Sequence, residues 1–158
     1  MIVGVEQPSN SAYLERILKS QTGAQATALE SADVLVKWEA GALHLIWRND
    51  DKKPLLFNLD YLAEAQRLRS FPAPKQGAFN QALGKRTKTI VDLSGGFGGD
   101  SLLMSLQGYD VTIVERVPLM AVLIEEAFNR LAAQQWPGRD QWQAPKVVNQ
   151  EALSLIHI

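Results

Sequence analysis

Two acids bracket a run of glycines at residues 92–100, Asp-Leu-Ser-Gly-Gly-Phe-Gly-Gly-Asp. Removing side chains lets a ligand come close to the backbone, and a helix beginning near Asp100 would aim its first amides at that ligand. The charge of the frame then selects among ligands. A nucleoside triphosphate loop needs Gly-x-x-x-x-Gly-Lys-Ser/Thr, but here Asp100 follows Gly99 and the next lysine is Lys146. A dinucleotide suits Gly96-x-Gly98-x-x-Ser101, with Glu115 at the end of the next strand for a ribose diol. Against it, Asp92 and Asp100 would repel a pyrophosphate at short range. S-adenosylmethionine carries a sulfonium, an ammonium, a ribose and an adenine, and no phosphate. Asp92 would accept from its ammonium, Gly96 and Gly98 would admit its methionine portion, and Glu115 would take the ribose hydroxyls. Glu151, past a third strand, would accept from the adenine amino group.

These residues need elements to hold them. From residue 89 onward strands and helices alternate: TKTIVDLS, a helix from about Asp100 to Gln107, DVTIVE, a helix from about Pro118 to Gln135, and KVVNQ. That rhythm predicts a parallel sheet, with the ligand beyond the carboxyl ends of its strands. In the longer helix Leu119, Val122, Leu123, Phe128 and Leu131 are expected in the core. The first 60 residues read as a small α+β unit. Ile2 to Val5 is a strand, and Ser9 to Ser11 offer cap chemistry to a helix with Leu14, Ile17 and Leu18 on one face. VLVKWEAGALHLIWR is a hairpin turning near Ala40 and Gly41, with Trp38 and Trp47 in its core stripe and His44 on the surface. LLFNLD (55–60) reads as a strand and YLAEAQRLRS as a helix, before the breaker FPAPKQG. The expected division is 1–72 as the small domain, 73–88 as a basic connector, and 89–152 as the ligand-binding α/β domain.

Composition bounds the chemistry further. With 158 residues, 46% hydrophobic and 21% charged, the chain is of ordinary globular make-up. No apolar run approaches a membrane span, so a soluble, cytoplasmic protein is expected. The absence of cysteine excludes disulfides and thiolate chemistry, and two histidines, His44 and His157, argue against a metal site. The net charge of −1 hides an uneven distribution: Arg67, Arg69, Lys75, Lys85, Arg86 and Lys88 fall in one stretch without an acid. Such a patch would contact phosphates, and it leads into the strand that carries the glycine loop.

The loop at 92–100, followed by YDVTIVERVPLMAVLIEEAF at 109–128, resembles the RsmJ family, class I methyltransferases acting on the exocyclic N2 of a guanosine in bacterial small-subunit (16S) ribosomal RNA. In that family the loop reads Asp-Ala-Thr-Ala-Gly-Leu-Gly-Arg-Asp, and the next strand ends in Glu-Arg-Asn-Pro; here it ends in Glu115-Arg116-Val117-Pro118. The resemblance implies an α/β fold, the N-terminal half of a class I (Rossmann-like) sheet preceded by a small α+β domain. It implies S-adenosylmethionine as cofactor, held by Gly99 and Asp100, Glu115 and Arg116, and Glu151 and Ala152. It implies ribosomal RNA of the small subunit as partner, met by the basic stretch, with no membrane and no metal. Gly99 stands in place of the family's arginine, and Glu151 and Ala152 in place of serines.

In families that methylate exocyclic amines, a loop after the fourth strand carries Asp/Asn-Pro-Pro/Met-Phe/Tyr, which these 158 residues do not contain. Catalytic residues are therefore expected outside them, and this chain alone is expected to be inactive, with an apolar edge at Ile90 and Val91. The final residues, LSLIHI (153–158), are one translation of CTG TCT CTT ATA CAC ATC, a transposase end sequence used in preparing DNA libraries, and are expected to be non-native. Competing readings are an NAD-dependent oxidoreductase, a non-catalytic RNA-binding module, and a class I methyltransferase with another substrate.

Overall fold

The computed structural model describes residues 2–6, 11–26, 32–49, 52–68, 70–75, 77–84 and 86–152. The expected non-native tail at 153–158 lies outside the described residues, as do Arg69 and Lys85. The elements run β1 (Val3–Val5), α1 (Ala12–Ser20), β2 (Ala24–Ala26), β3 (Val34–Glu39), β4 (Ala42–Asn49), β5 (Lys52–Phe57), α2 (Leu62–Gln66), α3 (Gly77–Leu83), β6 (Thr89–Asp92), α4 (Gly99–Leu106), β7 (Asp110–Glu115), α5 (Pro118–Ala133) and β8 (Lys146–Asn149). A 3-10 turn at Arg139–Gln141 precedes β8. Two sheets result: a mixed one ordered β2-β1-β3-β4-β5, and a parallel one ordered β6-β7-β8. This is an α/β fold, as the alternation of strand and helix predicts.

Local sequence explains the elements around the loop. β7 is rich in β-branched residues and, as the central strand, buries Val111, Ile113 and Val114. Pro118 begins α5, where its missing N–H costs nothing. That helix buries Leu119, Val122, Leu123, Phe128 and Leu131, as its spacing predicts. Its other neighbours are in the first sheet's half of the molecule. Arg16 pairs with Glu125 at 2.5 Å, Asn129 donates to the Tyr13 hydroxyl at 3.1 Å, and the Tyr61 and Phe128 rings lie 4.7 Å apart. One hydrophobic core consequently runs from Val3, Val5 and Leu14 through Tyr61 to Ile113 and Phe128.

Several expectations about the first half are corrected. Ser11 occupies the N-cap of α1, yet its side chain makes no capping bond. Trp38 packs on the core, its ring stacked on Tyr13, but Trp47 is 59% exposed because β4 runs past the helices that cover its other end. His44 is half-buried, with Nδ1 shielded from solvent, rather than on the surface. β5 begins at Lys52 and ends at Phe57; as the edge of its sheet it tolerates Pro54. The helix read from YLAEAQRLRS is confined to Leu62–Gln66, and the stretch read as a connector holds α3.

Candidate functional site

The ends of β6, β7 and β8 bring the loop and its acids together. Asp92 is opposite Ile113, which in turn pairs with Val147, and Glu115 pairs with Asn149. Residues on one rung of a parallel sheet share a face, and so do residues two apart. Asp92, Ile113 and Glu115 therefore share a face, with the Asp92 and Glu115 backbones roughly 8 Å apart. Gly95 lies over Ile113 between them: a Cβ there would stand 2.4 Å from the Ile113 Cγ2.

The four glycines divide into two kinds. Gly95 and Gly98 are buried and required by the protein's own packing, since a Cβ on Gly98 would meet the Tyr61 hydroxyl at 2.5 Å. Gly96 and Gly99 are exposed. A Cβ on Gly96 would meet only a loop carbonyl at 3.7 Å, and one on Gly99 nothing within 4 Å. Of the glycines expected at the ligand, Gly98 is thus also required by packing, whereas Gly96 and Gly99 are free of it. Gly96 and Gly98 adopt φ of +51° and +72°, which favour glycine in any case.

Both acids are partly committed to the loop. Asp92 Oδ1 accepts from the Ser94 N–H at 3.0 Å, and Oδ2 accepts from the Ser101 hydroxyl at 2.6 Å. A carboxylate has about four lone-pair sites, so a half-buried Asp92 retains capacity for an ammonium while holding the turn. Glu115 Oε1 accepts from the Val117 N–H at 2.7 Å. Its main-chain carbonyl accepts from Asn149 Nδ2 and Gln150 N–H, fixing the end of β7 against β8. Arg116 is exposed, its carbonyl also accepting from Asn149. Asp100 is exposed in the first turn of α4. Glu151 and Ala152 follow β8 after Gln150, at the same end of the sheet.

Beside the loop, a cavity of about 350 Å³ is lined by Leu83, Ile90, Val91, Asp92, Leu93, Ser94, Asp100 and Met104. It opens along β6, the sheet's edge, where Val91 is 58% exposed. The donor set fits a cationic nucleoside. Asp92 and Asp100 line the cavity, the exposed Gly96 and Gly99 and the Glu115 carboxylate lie beyond its lining, and no lysine belongs to the loop.

The basic stretch leads into β6, as expected, and so reaches it at its start. Lys88 immediately precedes β6, so it and the exposed Arg86 stand at the strand's opposite end from the glycine loop, roughly 13 Å away by strand rise. Lys75 rests over the Tyr109 ring at 3.8 Å, near that same end. Arg67 pairs with Glu64 at 3.0 Å.

Four residues at the site escaped sequence reasoning. Ser101 was noted only for its small size. Asn149 and Phe97 lay within the expected third strand and the glycine run without a role of their own. Tyr61, whose hydroxyl donates to the Phe97 carbonyl at 2.6 Å, lies 36 positions from it with nothing local to link them.

Among the described residues no helix is long and apolar enough to cross a membrane, and no group of three or more His, Cys, Asp or Glu is placed to hold a metal. The family described as "Putative SAM-dependent methyltransferase" matches residues 19–157. The chain is 43% identical over 47 residues to the ribosomal RNA small subunit methyltransferase J of Magnetococcus marinus, covering 30% of this chain and 19% of that protein. It is 30% identical over 105 residues to the protein of the same name from Shewanella loihica, covering 64% and 40%. The chain thus spans well under half the length of these relatives. Its fold is similar to a crystal structure of a SAM-dependent methyltransferase from Neisseria gonorrhoeae, with a TM-score of 0.65 at 16% identity over 98% of this chain and 62% of that one.

Proposed function

The chain belongs to the SAM-dependent methyltransferase family, and from that premise we propose that the whole protein methylates the N2 of a guanosine in small-subunit (16S) ribosomal RNA. S-adenosylmethionine is the cofactor. The observation that carries the reading is the pair of carboxylates, Asp92 and Glu115, on one face at the ends of β6 and β7, beside a loop in which Gly96 and Gly99 leave backbone exposed. The RNA part is supported by the relatives named as ribosomal RNA methyltransferases and by the basic stretch.

When bound, the cofactor supplies a methyl on a sulfonium, whose departure as a neutral thioether needs no acid from the protein. The chain's own residues then bind and orient. Asp92 holds the loop through Ser94 and Ser101 and faces the ammonium; Glu115, fixed by Val117 and Asn149, takes the ribose hydroxyls. Gly96, Gly98, Gly99 and Asp100 form the backbone rim, with Arg116, Glu151 and Ala152 toward the adenine. Holding the reacting groups in line is the main source of acceleration for such a transfer. Arg67, Arg69, Lys75, Lys85, Arg86 and Lys88 meet RNA phosphates. From the far end of β6, Arg86 and Lys88 hold nucleotides flanking the target. No residue of this chain is assigned to orient the acceptor amine, because the Asp/Asn-Pro motif that does so is not among its 158 residues. On that ground these residues alone bind cofactor without transferring methyl.

The test is transfer of labelled methyl from S-adenosylmethionine to small ribosomal subunits by the whole protein, followed by nucleoside analysis. The reading predicts label in N2-methylguanosine. Label confined to another nucleoside, or to no RNA, contradicts it.

A further inference from the structure

The cofactor loop is gripped from outside its own sheet. Between β5 and α2, two aromatic residues reach the same loop residue: the Phe57 ring packs on the Phe97 ring with centroids 4.9 Å apart, and the Tyr61 hydroxyl donates to the Phe97 carbonyl at 2.6 Å. The next N–H along, that of Gly98, donates to the Gly95 carbonyl at 2.6 Å. The peptide unit joining Phe97 to Gly98 is thereby fixed at both its ends.

This peptide decides the shape of the rim. Gly98 is the N-cap of α4 with φ of +72°, and its carbonyl accepts the Leu102 N–H at 2.8 Å. Glycine reaches either sign of φ at similar cost, so the sequence of the loop alone does not choose the orientation of the preceding peptide. An outside partner chooses it. Tyr61 is only 6% exposed, its ring lies 4.7 Å from Phe128, and its hydroxyl occupies the volume that a Cβ on residue 98 would need. Burial raises the phenol well above its ordinary range, so it stays protonated and remains a donor at neutral pH.

We infer that Tyr61, supported by Phe57, is a positioning residue for the cofactor loop: it turns the Phe97 carbonyl inward and so presents the Gly99 and Asp100 end of the loop to the ligand. The first half of the chain therefore sets cofactor affinity without touching the cofactor. The inference rests on the cofactor reading above.

Titration calorimetry of the 158-residue chain with S-adenosylhomocysteine tests it, alongside amide hydrogen exchange. Tyr61→Phe keeps the ring and removes only the donor. It is expected to weaken binding about tenfold, the worth of one such hydrogen bond. It is also expected to speed exchange at Gly98 and Gly99 while leaving exchange in β7 and α5 as before. Phe57→Leu, at a position 36% exposed and so safe for folding, is expected to weaken binding about threefold. Leu56→Ser, at a neighbouring position 61% exposed, should leave affinity unchanged. Binding by Tyr61→Phe within about twofold of the unmutated chain overturns the inference while leaving the cofactor reading intact. Faster exchange throughout the molecule also overturns it, because Tyr61 would then be a general core residue. Should Tyr61→Phe not fold, unchanged affinity in Phe57→Leu overturns it. Absence of binding by the unmutated chain refutes the cofactor reading, and the inference with it.

Discussion

The parallel sheet has two flanks built from the same kinds of residue and treated in opposite ways. Under α5, Leu123, Ile124, Phe128 and Leu131 are each at most 1% exposed, and the helix packs between both halves of the molecule. Along β6 and just past its end, Val91 is 58% and Leu93 41% exposed, beside the open cavity. The glycine loop spans the seam. Its two buried glycines pack on the closed flank, against Ile113 and against Tyr61 and Ile124, while its two exposed ones face open space. The contrast teaches that the closed flank determines the loop's shape and leaves Gly96 and Gly99 free of packing.

The closed flank can be broken most severely at Phe128. It is 1% exposed, and its ring contacts Tyr61 and Trp142. Phe128→Ala should lower stability by about 3–5 kcal/mol, read from denaturant unfolding. A loss below about 1 kcal/mol would mean that α5 is not the shared wall of the two halves.

The seam is sharpened by a pair of alanines one residue apart. Gly98→Ala forces a Cβ to 2.5 Å from the Tyr61 hydroxyl at positive φ, and is expected to cost about 2 kcal/mol as well as cofactor binding. Gly99→Ala meets nothing within 4 Å and should change stability by less than about 0.5 kcal/mol. Thermal melts of the two variants measure the difference, and equal losses would erase the distinction between packed and open glycines.

The open flank should respond least. Val91→Ser is expected to alter stability by under about 0.5 kcal/mol, while reducing self-association in sedimentation, since an exposed apolar strand edge invites pairing. A larger destabilisation would place Val91 in a covered core.

How much of this could be read from sequence follows the same division. β7 and the start of α5 match their expected bounds, and β6, α4 and β8 do so within a residue or two. Their periodicities are local and their punctuation, Gly98 and Pro118, is strong. Asp92 and Glu115 were legible for the same reason: each closes a strand. α3 was hidden because Pro72, Pro74 and Gly77 break the pattern just before it, and the start of β5 was hidden because Pro54 lies inside an edge strand. Trp47 alternates as a core residue should, but period-2 spacing says nothing about how far the covering helices reach. Tyr61 shows the limit most plainly. Its partner is 36 residues away, and only tertiary packing joins a helix-leading tyrosine to a carbonyl between glycines.

The cofactor reading requires the acid-framed loop to take an ammonium-bearing, phosphate-free nucleoside rather than a diphosphate. It is tested most directly by calorimetric titration of the chain with S-adenosylhomocysteine and, separately, with NAD, repeated on Glu115→Ala. On that reading S-adenosylhomocysteine binds the unmutated chain, NAD does not, and Glu115→Ala weakens the binding by about tenfold or more through loss of its charge-assisted ribose contacts. Binding of NAD in preference to S-adenosylhomocysteine, or S-adenosylhomocysteine binding untouched by Glu115→Ala, would contradict it.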